Sequence, residues 1–208
     1  MGRHQGAVCR LCRREELKLF LKGKKCLTAK CTLEKRNFPP GEKGKMRKKQ
    51  TEYGIQLREK QKLRRIYGLL EQQFSNYFKK ASKKTGKTGE VLLQFLERRL
   101  DSVVYRLGFA SSRTQARQYV SHKHFLVNGR SVNIPSYLIK EGDEIKLKES
   151  SRTQPFIVVS LAEKIDSSIP EWMQLDKANF TGRITKLPTR SQIDTPVREQ
   201  LVVEFYSR

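Results

Sequence analysis

Apolar side chains recur every three or four residues in two stretches of the chain, a spacing that places them on one face of an α-helix. The first stretch covers residues 51–81, and basic residues occupy many of the positions between its apolar ones. The second covers residues 91–107, with Thr88 in the position of an N-cap and Gly108 in that of a residue that ends a helix. The pattern therefore predicts a basic helical segment followed by one long amphipathic helix.

Further along the chain the apolar period changes to two, which is typical of β-strands. A short helix beginning at Ser112 is followed by strand-like segments at 125–127 and 130–132, and the dipeptide Asn128-Gly129 between them favours a two-residue hairpin. Residues 144–148 alternate between polar and apolar side chains and predict another strand. These elements indicate an α+β protein with a mainly helical first domain and a compact helix-helix-hairpin module.

The chain is strongly basic: its 208 residues include 44 Lys and Arg against 21 Asp and Glu, a formal net charge of +23. Residues 1–90 hold 26 basic and 8 acidic residues, a net of +18, but only 17 Leu, Ile, Val and Phe. That composition is marginal for an independent fold. We therefore expect a polyanionic partner, and we expect a metal or that partner to help order the first part of the chain.

Two cellular destinations are disfavoured by the same composition. No apolar run approaches the roughly 18 residues of a membrane-spanning helix, and the N-terminus lacks the apolar core of a signal peptide. We therefore expect a cytoplasmic protein without a membrane partner.

Four cysteines lie within the first 31 residues in the pattern C-x2-C-x13-C-x4-C, at Cys9, Cys12, Cys26 and Cys31. Two close pairs joined by a loop of this length are typical of a closed tetrahedral structural metal site. Zinc (Zn²⁺) is the first choice of metal, and an iron–sulfur cluster also accepts four cysteines. A cytosolic environment disfavours disulfides here. We predict that residues 1–40 form a metal-binding segment.

A run of basic residues follows the turn at Pro39-Pro-Gly41 and is too charged to pack against an apolar surface. It forms either a solvated tail or a strap that contacts phosphates. The second interpretation predicts RNA contacts by Lys45, Arg47, Lys48 and Lys49.

The remaining motifs do not indicate catalysis. Gly86-Lys-Thr88 resembles part of a phosphate-binding loop, but a basic helix precedes it instead of the buried strand that such a loop needs. No nucleophile elbow or metalloprotease motif is present. We interpret residues 79–89 as a linker between helices, and we predict neither an enzymatic activity nor a small-molecule substrate.

The sequence His122-Lys123-His124 follows the short helix and lies close in sequence to Arg113 and Arg117, which are four residues apart on one helical face. One interpretation is an ordinary helix end with a hydrogen-bonded imidazole. The other is a set of phosphate contacts, which places all five residues in an RNA-binding surface. The two interpretations are equally compatible with the spacing.

Three runs of sequence in the module closely resemble the RNA-binding domain named after ribosomal protein four of the small subunit: Arg99-Leu-Asp-Ser-Val-Val-Tyr-Arg-Leu-Gly-Phe109, Ser112-Arg-Thr-Gln-Ala-Arg-Gln118 and Phe125-Leu-Val-Asn-Gly129. The resemblance to the bacterial-type family of that ribosomal protein extends nearly end to end. It includes the four cysteines and the runs Leu57-Arg-Glu-Lys-Gln-Lys-Leu-Arg-Arg-Ile-Tyr67, Ile134-Pro-Ser-Tyr137 and Glu199-Gln-Leu-Val-Val-Glu-Phe-Tyr-Ser-Arg208.

This resemblance implies a helical first domain completed by the C-terminal tail, with the RNA-binding module inserted between them. The domains would be a metal-binding segment, a basic helical domain, the inserted module and a tail that packs back on the first domain, with the boundaries 1–40, 41–97, 98–165 and 166–208. The cysteines would be the metal ligands of the cysteine-bearing members. The basic helix would bind RNA through Arg58, Lys60, Lys62, Arg64 and Arg65.

The resemblance also implies a function. A family member is a ribosome-bound structural protein that binds small-subunit rRNA (16S rRNA) at a multi-helix junction early in assembly. Its partners would include neighbouring small-subunit proteins near the mRNA entry channel and, in many bacteria, its own mRNA as a feedback target. Roles in mRNA entry and translational accuracy follow from that location.

Two other classes of protein fit parts of the sequence. RNA-modifying enzymes carry the same module as an appendage, but they need a catalytic domain for which 208 residues leave no room. A zinc-containing DNA-binding regulator would also be basic and rich in cysteine. It would bind duplex DNA as well as it binds a folded RNA junction.

Overall fold

The computed structural model describes residues 4–46, 49–163 and 169–207. The chain forms two compact units: a first unit of residues 1–92 and 195–208, and a second unit of residues 93–194. Helices and strands are both present, as the periodicity predicts. None of the helices in the described ranges is long and apolar enough to cross a membrane.

The first unit is helical. Its helices are α1 (Cys9–Glu15), α2 (Thr32–Lys35), α3 (Glu52–Ile66), α4 (Glu71–Ser82) and the C-terminal α9 (Glu199–Tyr206), and 3₁₀ turns cover Gly23–Leu27 and Glu42–Lys45. Helix α5 (Thr88–Glu97) begins in this unit and ends in the second. Helix α3 begins at Glu52 because the Thr51 hydroxyl accepts a hydrogen bond of 3.1 Å from the Gly54 amide.

The C-terminal helix α9 packs along α3, although about 130 residues separate them in sequence. The Gln56 amide donates a hydrogen bond of 3.1 Å to the Glu204 carboxylate. The Tyr206 ring stacks on Phe78 of α4 with centroids 4.4 Å apart. Both helices therefore contribute to one apolar interior, in which Val202 is fully buried.

The second unit contains α6 (Leu100–Arg106), α7 (Arg113–Ser121), α8 (Pro155–Ala162) and a five-stranded antiparallel sheet. The strands are β1 (Phe125–Val127), β2 (Arg130–Ser131), β3 (Glu144–Leu147), β4 (Met173–Asp176) and β5 (Thr181–Ile184), in the spatial order β2-β1-β3-β5-β4. The core lies between the helices and the sheet and includes Val103, Leu107, Phe125, Ile145 and Trp172, all at most 1 % exposed.

The predicted hairpin is confirmed. Asn128 and Gly129 have φ angles of 48° and 76°, the positive values that a two-residue turn of this kind requires. The predicted stop at Gly108 is also confirmed, with a φ angle of 90°.

The single long helix predicted over 88–107 is wrong, because the chain is extended at Arg99 and forms α5 and α6 instead. The Leu100 amide donates to the Tyr137 carbonyl and the Ile139 amide donates to the Arg98 carbonyl, each at 2.9 Å. These long-range hydrogen bonds replace the helical ones. Sequence periodicity does not reveal the break between α5 and α6, because the apolar spacing continues across it.

The predicted boundary at residue 166 is also corrected. Strands β4 and β5 extend the sheet of the second unit, and Trp172 and Ile184, each 1 % exposed, belong to its core. Only residues 195–208 return to the first unit.

Candidate nucleic-acid interface

The four predicted metal ligands lie in α1 and in the turns that follow it. Cys12, Cys26 and Cys31 are buried and Cys9 is half-buried. Burial raises the pKa of the Cys12 thiol, and the neighbouring Cys26, Cys9 and Cys31 raise it further, whereas the Leu19 backbone opposes the shift. Cys12 therefore lies within electrostatic range of the other three thiols. Four thiols are a donor set that suits zinc in number and kind.

The described part of the chain nevertheless contains no group of three or more His, Cys, Asp or Glu side chains arranged so that it could hold a metal ion. The thiols fit zinc in chemistry, and the metal site stays a prediction.

The basic face of α3 makes ion pairs with acids of its own unit. All five basic residues predicted on this helix have a carboxylate partner: Arg58 and Arg65 with Glu15, Lys60 and Arg64 with Glu71, and Lys62 with Glu59. Arg58 keeps 34 % of its side chain exposed, and Lys62, Arg64 and Arg65 keep 16–21 %. Partial exposure leaves these four able to reach a phosphate, so their RNA contacts stay predictions.

The structure places Lys60 differently from the sequence prediction. Its side chain is only 6 % exposed, it pairs with Glu71, and its ammonium lies 4.9 Å from the ring centre of Phe205 and 5.5 Å from that of Tyr206. A cation held over aromatic rings beside a carboxylate stabilises the packing of α9 against α3. As a correction, Lys60 joins these helices together and does not present its ammonium at the surface.

Two carboxylates in this unit have shifted acidities. Burial acts to raise the pKa of Glu71, but hydrogen bonds from Lys60 and Tyr206 lower the pKa below its usual value. Burial also raises the pKa of Glu15, whose side chain is fully buried, and Arg65 and Arg58 only partly offset it. Glu15 therefore ties α1, with its two cysteines, to the basic face of α3.

The predicted phosphate strap is described only in part. Lys45 and Lys49 are exposed, and the Lys45 ammonium lies 5.4 Å from the ring centre of Phe38. Arg47 and Lys48 lie outside the described residues. The exposed positions are compatible with either a tail or a strap.

In the second unit, Arg113 and Arg117 project from the same face of α7, one helical turn apart. Arg113 donates to Glu97 and Arg117 donates to Asp101, both at 3.4 Å. Their side chains are 15 % and 12 % exposed.

The segment His122-Lys123-His124 forms the exit of α7. His122 and Lys123 are exposed, and the two imidazole rings stack with centroids 6.1 Å apart. His124 Nδ1 forms a hydrogen bond of 2.8 Å with the Ser151 hydroxyl. Burial lowers the pKa of His124, and the nearby His122 and Lys148 lower it further. The interpretation as a hydrogen-bonded imidazole holds for His124. His122 and Lys123 are exposed, and their phosphate contacts stay predictions.

The fold also identifies residues that sequence reasoning missed. Glu97 and Asp101 are buried and form ion pairs with the arginines of α7. The sequence does not indicate these pairs, because they depend on the burial of the two carboxylates next to the arginines. Lys79, Lys80 and Lys83, which lie in the predicted linker, are exposed at the end of α4. Their density in sequence could have indicated a phosphate contact.

Comparisons with known proteins match these two parts of the chain separately. Residues 3–97 match a model described as the ribosomal protein S4/S9 N-terminal domain, and residues 98–145 match one described as the S4 domain. The small ribosomal subunit protein uS4A of Symbiobacterium thermophilum is 59 % identical over 208 residues, which is the whole of both chains. The proteins called uS4 in Syntrophus aciditrophicus and Halothermothrix orenii are each 56 % identical, again over the whole of both chains. Because the similarity covers the entire length and both domains, this chain belongs to the ribosomal protein uS4 family, a family of structural, non-enzymatic proteins.

Proposed function

We propose that this protein is a structural constituent of the small ribosomal subunit, bound to rRNA in the cytoplasm and in contact with other ribosomal proteins. The full-length identity of 59 % to a protein named for the small ribosomal subunit carries the proposal. The module that matches an RNA-binding family and the net charge of +23 support it independently.

The RNA would be bound mainly through its phosphates. RNA junctions bring phosphates from several helices together, and basic side chains on a rigid fold can neutralise several of them at once. The partly exposed arginines of α3 and the exposed His122 and Lys123 at the exit of α7 are suitable groups for this role. We infer a multi-helix junction in the rRNA as the target, bound early so that it nucleates assembly of the subunit.

A location near the mRNA entry channel would account for contributions to mRNA entry and to translational accuracy. Binding to the protein's own mRNA, with feedback repression, would use the same phosphate-binding surfaces. These finer roles rest on the family resemblance and on the excess positive charge.

Sedimentation tests the main proposal. In a lysate separated on a sucrose gradient, the native protein should travel with the small subunit and should leave it only when the salt concentration is raised. A protein that remains at the top of the gradient in low salt would contradict the proposal.

Binding to RNA in vitro tests the mechanism. If six to ten phosphates are contacted, affinity for a folded small-subunit rRNA junction should fall by about 10³–10⁵ between 50 and 200 mM salt. Duplex DNA of equal length is the control, because a DNA-binding regulator would bind both ligands alike. An affinity that does not depend on salt would exclude phosphate neutralisation as the main source of binding.

We further propose that Cys9, Cys12, Cys26 and Cys31 bind one structural zinc ion, which would replace the apolar core that this segment lacks. The burial of three of the thiols and the electrostatic effect of Cys9, Cys26 and Cys31 on Cys12 support the assignment. Cys12→Ser or a chelator should make residues 1–40 sensitive to protease while the second unit stays folded. Metal analysis of the purified protein then separates zinc from iron, and a metal-free protein with an ordered N-terminal segment would exclude the site.

A further inference from the structure

Two carboxylates in the second unit each lie between two arginines. Glu97 accepts hydrogen bonds from Arg106, at 2.7 Å from Nη2 to Oε1 and 3.1 Å from Nε to Oε2, and Arg113 Nη2 approaches Oε1 at 3.4 Å. Its side chain is only 1 % exposed. A buried carboxylate is unfavourable unless cations and hydrogen bonds compensate it. Arg106 and Arg113 supply that compensation for Glu97.

The second carboxylate repeats the arrangement. Asp101 accepts a bidentate pair from Arg99, with distances of 2.6 Å and 3.0 Å, and Arg117 Nη1 approaches Oδ2 at 3.4 Å. For each carboxylate, the short bidentate hydrogen bonds are donated by an arginine of the α5–α6 region, and the longer hydrogen bond is donated by an arginine of α7.

The two arginines of α7 are held in place and still reach the surface. The Arg113 guanidinium lies over the Tyr105 ring at 4.6 Å from its centre and is held by Glu97 as well. The side chains of Arg113 and Arg117 keep 15 % and 12 % of their surface exposed. Each guanidinium is therefore held by a carboxylate of its own module while part of the side chain stays accessible.

We propose that Glu97 and Asp101 are positioning residues for RNA binding: they hold the guanidiniums of Arg113 and Arg117 in the orientation in which these groups meet RNA phosphates. This inference rests on the proposed function, since it assigns a role within the same RNA-binding surface. Fixing long side chains before binding lowers the entropy that binding would otherwise cost.

If Glu97 positions Arg113, removing its charge should change the RNA affinity in the opposite direction from the change expected from net charge alone. Glu97→Gln removes a negative charge, and by charge alone it should tighten RNA binding. If Glu97 positions Arg113, the same substitution should weaken binding by about tenfold, because the guanidinium becomes mobile.

The test measures the affinity of the full chain for a folded small-subunit rRNA junction at one fixed salt concentration. Glu97→Gln should bind about tenfold more weakly than the wild type. Glu141→Gln is the matched control, since Glu141 is an exposed acid of the same unit and the charge change is identical. The control should bind as tightly as the wild type or slightly more tightly.

Two further variants separate positioning from a general loss of structure. Glu97→Asp keeps the charge but shortens the side chain, and it should also weaken binding. In the background of Arg113→Gln, which itself weakens binding, Glu97→Gln should cause no additional loss, because the residue that it positions is already gone. Thermal melting of each variant reports its folding, and Glu97→Asp decides the question if Glu97→Gln unfolds.

Binding of both Glu97 variants as tight as that of the wild type would overturn the inference. Equal losses from Glu97→Gln with and without Arg113 would overturn it as well. A wild-type chain that fails to bind the junction would instead refute the proposed function, so the two failures are distinguishable.

Discussion

Replacement of Gly182 by alanine should destabilise the second unit by about 1–3 kcal/mol. Gly182 lies within β5, opposite Ile145 of β3 and Leu175 of β4. A Cβ atom at this position would overlap Leu107 Cδ1 and would lie 2.9 Å from Cδ2, far inside the roughly 3.5–4.0 Å at which carbon atoms pack. Leu107 is fully buried in the core, so its side chain cannot retreat without displacing its neighbours.

The magnitude corresponds to a measurable change in melting temperature. For a unit of about 100 residues, each kcal/mol corresponds to about 4–8 °C, so the second unit should melt at least about 4 °C lower. The assay is tryptophan fluorescence during heating or urea titration. Trp172 is the only tryptophan in the chain and is buried in this core, so its signal reports the second unit.

A compensating substitution identifies the cause. Leu107→Val removes both clashing Cδ carbons and should restore part of the stability of Gly182→Ala, although by itself it leaves a cavity and destabilises the unit. Arg183→Ala is the control, because Arg183 is the exposed neighbour on the same strand and its loss should change stability by no more than about 0.5 kcal/mol. Gly182→Ala as stable as the wild type, or no recovery with Leu107→Val, would refute the close approach of helix and sheet as the reason for glycine.

Two other predictions concern backbone strain and pH. Lys123 has a φ angle of 62°, a left-handed conformation that costs a residue with a side chain about 1 kcal/mol, so Lys123→Gly should stabilise the second unit by up to about that amount in urea titrations while weakening RNA binding through the lost charge. Stability equal to or below that of the wild type would show that the strain is relieved elsewhere. Because the pKa of Glu71 is lowered in the folded state, its ionised form contributes stability that is present above the unfolded pKa of about 4.3 and is lost as the pH falls through the folded pKa. Glu71→Gln should therefore reduce the acid sensitivity of the first unit below about pH 4.3, measured by circular dichroism at 222 nm; an unchanged acid transition would exclude Glu71 as a contributor.

Features that depend on neighbouring residues were predicted well from the sequence. The Asn128-Gly129 hairpin and the helix stop at Gly108 follow from which residues tolerate a positive φ. The predicted start of the short helix at Ser112 is confirmed too, since the Ser112 hydroxyl caps α7 by accepting a hydrogen bond of 3.3 Å from the Gln115 amide. The family resemblance that short runs of sequence carry is confirmed by the full-length comparisons.

Features that depend on distant residues were predicted less well. The break at Arg99 arises from hydrogen bonds to residues 137–139, and the continuous apolar spacing conceals it. Strands β4 and β5 join the sheet of the second unit through pairing with β3, which moves the domain boundary from 166 to 195.

The candidate RNA surface shows the same division. The sequence by itself determined the chemistry of the surface: an excess of Lys and Arg in the first 90 residues, four clustered thiols and two arginines one helical turn apart. Only the tertiary structure decided which cations reach solvent, because their acidic partners come from other elements. Lys60 is covered by α9, and Glu97 and Asp101 hold the arginines of α7. Charge is a property of each residue, whereas its availability depends on burial and pairing, and these are established only when distant parts of the chain pack together.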